Sequence, residues 1–221
     1  LHPSKRACEY IKSFPKLESY SEFKEARWIN SRCDAFKAFS GPYFHAIEEE
    51  IYKHPAFIKH VPVPDRPRVV DGLRRPGYFY YENDYKAFES HFTPRVMEVL
   101  ELKVYRYLLK HFPREAEFIC SVISGTNRLH ARGVRATVKG RRMSGDMCTS
   151  VGNGISNWLI YQFICSCKGV EGIGLVEGDD GLFACPARLE AADFAALGFT
   201  VEIQQISDPL LGHFCGMSCS P

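Results

Sequence analysis

The sequence predicts an α+β fold, in which helices and strands mix without the strict strand–helix–strand alternation of a parallel α/β sheet. Three observations predict it. An aromatic, extended run from Gly77 to Asp84 precedes apolar residues at helical spacing, Val96 to Leu108. Basic residues then alternate with period two on either side of Gly133, the pattern of a strand pair. Further on, two short apolar runs, 172–178 and 181–185, flank Asp179-Asp180.

The elements follow in order. Residues 34–54 read as helix, with an interruption expected at Gly41-Pro42. Residues 55–76 carry Pro55, Pro62, Pro64, Pro67 and Pro76 and read as extended chain. Thr93-Pro94 is an N-cap followed by proline at the first helical position. A helix over 147–165 is approached through Ser144-Gly145-Asp146. Beyond the two strands around Asp179-Asp180, a helix is expected over Ala187 to Leu197, then strands over Phe199 to Ile206 and Leu211 to Met217. No repeat or low-complexity run is present.

Composition narrows the function classes. Of 221 residues, 45% are hydrophobic and 24% charged, which excludes a disordered chain. The net charge of +2 hides an asymmetry: residues 171–221 hold eight acids and one base (Arg188), and residues 1–170 carry the compensating excess of bases. A basic body with an acidic end suits a site that binds both polyanion and metal. The nine cysteines cannot all pair within one chain. The polar start, Leu1 to Tyr10, has no secretory signal, so a reducing compartment is expected. Cys165/Cys167 and Cys215/Cys219 are poorly spaced for zinc and read as free thiols. The most apolar stretch, Ile155 to Cys165, is short and carries Ser156, Asn157 and Gln162, so it predicts no membrane span. A chain that opens on Leu and ends on Cys-Ser-Pro is expected to be part of something longer.

Residues 118–145 contain no acid and six bases: Arg128, Arg132, Arg135, Lys139, Arg141 and Arg142. A hairpin with one basic face toward a polyanion is preferred over a merely solvated one, because nothing within the segment compensates the charge. Three further segments carry chemistry. The first, Asp84-Tyr85-Lys86-Ala87-Phe88-Glu89, ends a predicted strand. The second runs from Ser144-Gly145 through Thr149 to Asn153. Thr149 and Asn153 lie one turn apart on a helix face, and the Ser144-Gly145 loop offers backbone amides to a phosphate or a ribose edge. The third is Glu177-Gly178-Asp179-Asp180-Gly181. Alone, Gly-Asp-Asp arises by chance in roughly one chain in twenty of this length. It reads as a solvated turn as readily as a site, but a bound Mg²⁺ would relieve the repulsion between its carboxylates.

Taken in order, D-x4-acid, S-G-x3-T-x3-N and G-D-D resemble motifs A, B and C of the RNA-dependent RNA polymerases of positive-strand RNA viruses, with Ser-Gly-Asp-Met closest to tombusvirus-like groups. Lys59 to Val70 looks like the basic motif F, Leu197-Gly198-Phe199 like motif D, and Phe214-Cys215-Gly216 like motif E. The resemblance implies a right-hand polymerase: partial fingers over 1–76, palm over 77–221 with a finger-like insertion at about 112–143, and no thumb. It implies template-directed RNA synthesis in viral genome replication. Asp84, Asp179 and Asp180 would hold two Mg²⁺ (or Mn²⁺) ions and carry nucleotidyl transfer. Lys59, Arg66 and Arg68 would contact the incoming triphosphate. Glu89, Ser144, Gly145, Thr149 and Asn153 would read ribose and template position. The implied partners are RNA template and nascent strand, NTPs and other viral replicase proteins. The implied location is the host cytoplasm, in membrane-associated replication complexes.

The chain departs from the family pattern in places. The second acid of motif A is Glu89 where Asp is usual. Motif D has no Lys after Lys168, and Glu202 stands near its expected place, so the proton donor to pyrophosphate is open. A reverse transcriptase shares the palm but carries an aromatic gate where Glu89 stands. A non-catalytic RNA-binding module built on the 128–142 hairpin leaves the three acidic positions, Asp84, Asp179 and Asp180, unexplained.

Overall fold

The structure, a computed structural model, describes residues 2–23 and 25–218. In chain order the elements are α1 (Lys5–Cys8), β1 (Tyr10–Pro15), β2 (Trp28–Arg32), α2 (Asp34–Ile51), α3 (Arg66–Asp71), β3 (Phe79–Tyr85), α4 (Pro94–Val99), α5 (Glu101–Leu108), α6 (Pro113–Ile123), β4 (Thr126–Ala131), β5 (Val134–Lys139), α7 (Thr149–Cys167), β6 (Ile173–Glu177), β7 (Asp180–Cys185), α8 (Ala191–Ala195), β8 (Val201–Ile206), β9 (His213–Phe214) and β10 (Met217–Ser218). Short 3₁₀ turns lie at Val63–Asp65, Phe88–His91 and Pro209–Leu211. The α+β expectation matches this mixture of helices with antiparallel and mixed sheets.

The chain divides into two compact units, each made of two separate segments: residues 1–47 with 89–149, and residues 48–88 with 150–221. The boundary expected at residue 76 falls inside the second unit, whereas the basic segment 118–145 lies wholly in the first.

The first unit holds a mixed sheet in the order β2-β1-β4-β5. β1 pairs antiparallel with β2 and parallel with β4, and β4 and β5 form the predicted hairpin. Thr93 caps α4 by accepting from the Val96 amide, as its sequence position requires. The helix expected through Leu108 breaks at Leu100 (φ −102°, ψ −98°), and α5 begins at Glu101, which is fully buried.

The second unit holds an antiparallel sheet in the order β6-β7-β3-β8. β7 is buried from Gly181 to Cys185, which explains why it reads as a continuous apolar run. Leu182 and Ala184 pack into a core with Ile58, Val70, Leu73, Leu175 and Phe214. On the other face Phe183 stacks on Tyr161 of α7, ring centroids 4.1 Å apart. Among the described residues, no helix is long and apolar enough to cross a membrane.

Four local expectations change. The 55–76 segment is not all extended: Pro64 and Pro67 sit in the first turns of the 3₁₀ turn and of α3, where a missing N–H costs nothing. α2 runs unbroken through Pro42, giving up one backbone bond. The helix expected from Ala187 shrinks to α8, entered through a capping box between Glu190 and Asp193. The strand expected over Leu211 to Met217 is a hairpin of β9 and β10.

Candidate active site

The site is built in the second unit, at one end of its sheet. β3 and β7 pair with Asn83 opposite Gly181, so the ladder carries Asp84 toward Asp180 at the strand ends. β6 and β7 are joined by the two-residue turn Gly178-Asp179, closed by Glu177 opposite Asp180. Gly178 has φ +65°, and glycine at the first central position with positive φ is the requirement of a type II′ hairpin turn. Asp179 thus sits in the turn and Asp180 on the first residue of the strand.

This arrangement gathers negative charge. The Asp180 carboxyl is pushed up to about 6 by partial burial first, then by Asp179, Asp84 and Glu177; a hydrogen bond from the Cys215 thiol opposes the shift. Cys215, in the β9–β10 turn with φ +53°, is in turn held protonated by burial and by the Asp180 and Glu177 charges. Arg66 supplies the counter-charge: its guanidinium lies 2.9 Å from Glu177 and donates through Nε to the Val61 carbonyl at 3.1 Å.

The backbone of the turn is fixed by a buried amide network. Asn157 of α7 donates to the Asp179 carbonyl at 2.9 Å, and Asn83 donates to the same oxygen at 3.4 Å. Tyr85 donates to Asn157 Oδ1 at 3.2 Å. Burial and the nearby Asp179 charge push the Tyr85 phenol up, so it stays a donor. Asn83, Tyr85 and Asn157 are the residues that sequence reasoning missed. The available signal was Asn157 itself, a polar residue in an apolar helical run, four positions after Asn153 and so on the same helix face.

The triphosphate candidates separate. Lys59 is exposed and donates to Ser150 at 2.8 Å. Arg66 is buried against Glu177 and Arg68 is exposed, because on α3 two residues apart point to different faces. Arg66 is thus held at the site as the partner of Glu177. Of the motif B residues, Asn153 is buried in the second unit. Ser144, Gly145 and Thr149 lie in the first, as does Glu89. There the Ser144 hydroxyl donates to the Trp28 carbonyl at 2.8 Å, and the Gly145 amide to the Asn30 carbonyl at 3.1 Å. A Cβ on Gly145 would come within 2.8 Å of that carbonyl oxygen, so the docked loop admits only glycine there. The Thr149 hydroxyl donates back to Asp146 and Met143. Asp146 is buried and gripped bidentately by Arg32; burial pushes its carboxyl up and Arg32 opposes that.

The basic segment also separates. Arg128, Arg135 and Lys139 are exposed strand residues, with Arg128 paired to Glu9 at 3.2 Å. Arg132 is exposed in the hairpin turn. Arg141 follows the strand at φ +73° and donates to the Ser90 carbonyl. Arg142 is a correction: it is 3% exposed and bidentate to the buried Glu101 at 2.8 Å, so it cannot face RNA. Its charge is compensated by an acid 41 residues upstream in sequence.

Carboxylate oxygens are hard ligands suited to Mg²⁺, and the mutual repulsion at Asp180 is what a cation would neutralise. Among the described residues, no three His, Cys, Asp or Glu side chains are gathered closely enough to share one ion.

A comparison with curated proteins gives no significant match. A family model described as viral RNA dependent RNA polymerase matches residues 83–209. That span is more than half of the chain; it begins one residue before Asp84 and includes the Gly178-Asp179-Asp180 turn. The chain therefore belongs to the viral RNA-dependent RNA polymerase family.

Proposed function

We propose that this chain carries the catalytic core of template-directed RNA synthesis in viral genome replication, with nucleotidyl transfer at Asp84, Asp179 and Asp180. The observation that carries the reading is the convergence of those acids, with Glu177, at one sheet end inside the family-matched span. Asp84 and Asp179 would hold Mg²⁺ (Mn²⁺ serving in its place), with Asp180 assisting. When bound, the metal supplies a lowered pKa at the primer 3′-hydroxyl and charge neutralisation at the triphosphate. The Asn157–Asn83–Tyr85 network fixes the Asp179 backbone, so the acids are held in place before substrate arrives. Lys59 and Arg68 are the exposed cations left to meet the triphosphate.

On this reading the second unit is the palm and the first the fingers. Glu89 in place of Asp is one methylene longer, and its proposed role is ribose selection. The tombusvirus-like affinity rests on the Ser-Gly-Asp-Met run. Replicase partners and membrane-associated complexes in the host cytoplasm belong to the same proposal. The test is extension of primer–template RNA with NTPs and Mg²⁺ by the full-length polymerase. Asp179→Ala should lower extension by at least about a thousandfold while leaving the melting temperature unchanged or higher. Unchanged extension in that variant overturns the reading.

A further inference from the structure

The strand registers of the first unit sort its mixed sheet into two faces. Tyr10 pairs with Arg128 and Lys12 with His130 across β1 and β4. Arg128 pairs with Thr137 and His130 with Arg135 across β4 and β5. Residues opposite one another share a face, and alternate residues along a strand share it too. Tyr10, Lys12 and Phe14 therefore stand on the same face as Arg128, His130 and Arg135, with Lys139 at its far end. The alternate face carries the fully buried Ile11, Arg32 and Asn127.

The first face is open. Tyr10 is 48% and Phe14 39% exposed, and Lys12, Arg128, Arg135, Thr137 and Lys139 are all exposed. Tyr10 stacks on His130 with ring centroids 4.4 Å apart and planes 27° from parallel. This leaves an outward aromatic platform across two strands. Phe14 stands four residues, or about 13 Å, further along the same strand. Lys12 lies between the two aromatics, and Arg135 and Lys139 line the β5 side. The acid beside this face, Glu9, pairs with Arg128.

Exposed aromatics on a β-sheet carry an apolar cost unless something covers them, and bases between them set the charge of what does. We infer that this face is a binding platform for single-stranded RNA, whose unpaired bases stack on Tyr10/His130 and on Phe14 while Lys12, Arg135 and Lys139 hold the phosphates. The inference deepens the polymerase reading and rests on it for the choice of RNA. Its chemistry requires single strands, because a duplex turns base edges, not base faces, toward a flat sheet.

The experiment measures fluorescence anisotropy of labelled single-stranded and duplex RNA with the 221-residue chain across a salt series. Tyr10→Ala/Phe14→Ala should weaken single-strand binding by about tenfold or more, leave duplex binding alone and keep the salt slope. Tyr10→Phe should bind as the parent does, because it keeps the ring. Lys12→Gln/Arg135→Gln/Lys139→Gln should weaken both ligands and flatten the salt slope. Circular dichroism melting confirms that each variant folds. Parent-like single-strand binding by the double aromatic variant overturns the inference, whatever the extension assay shows. So does a defect confined to anionic vesicles or to a protein partner. Absence of extension by the full-length parent, with the aromatic dependence of RNA binding intact, overturns the polymerase reading and leaves this platform standing.

Discussion

Asp180 shows how a single residue records its neighbours. An ordinary aspartate titrates near 3.8, and this one is pushed up to about 6 by partial burial and by three surrounding acids. Between those pH values the folded chain binds more protons than the unfolded chain. Stability from this group therefore falls as pH rises from about 4 to about 6 and stays lost above that. Asp180→Asn removes the penalty. In metal-free buffer the variant should melt higher than the parent above pH 6, with the gap closing toward pH 4; calorimetry at several pH values measures it, and a gap independent of pH would show that the acids do not interact. The acidic pair was legible in the sequence as Asp179-Asp180. Its geometry was not, because the Asn157 bond and the approach of Asp84 depend on residues far apart in the chain.

At the scale of elements, the loop after β5 is tied down by charge buried away from water. Arg142 makes two hydrogen bonds to Glu101 at the start of α5, lies 4.2 Å over the Phe92 ring, and Tyr105 adds a third bond to the same carboxylate at 2.7 Å. Removing one partner strands the other charge in a low-dielectric interior. Glu101→Ala should destabilise the chain by about 3–5 kcal/mol in urea denaturation, and Glu101→Leu/Arg142→Met should recover most of that. A cost below about 1 kcal/mol for the single variant would mean that water reaches Arg142. In sequence, the six bases of 118–145 are alike, and period-two spacing groups them. The sequence cannot show that one of them belongs to an acid on another element. The prolines of 55–76 misled for a similar reason: proline breaks a helix interior but starts a first turn, and only the chain's path decides which.

For the whole molecule, the uneven charge is what a site for both polyanion and metal would show. If Asp84 and Asp179 hold Mg²⁺ only in the folded chain, added Mg²⁺ stabilises it by mass action, about 2.7 kcal/mol at a hundred times the dissociation constant. The melting temperature of the parent should rise with Mg²⁺, and that of Asp84→Ala/Asp179→Ala should not; an equal rise in both would place the ion elsewhere. The order of the three acidic and polar segments, the N-cap at Thr93, the hairpin about Gly133 and the α+β class were determined by the sequence itself. These rest on local chemistry: capping, period-two alternation and the conformations that glycine allows. Which arginines face water, how two discontinuous segments build each unit, and what holds the Asp179 turn were decided only by the tertiary structure. Those outcomes depend on pairings between residues tens of positions apart, and burial, not spacing, sets the energy of such pairs.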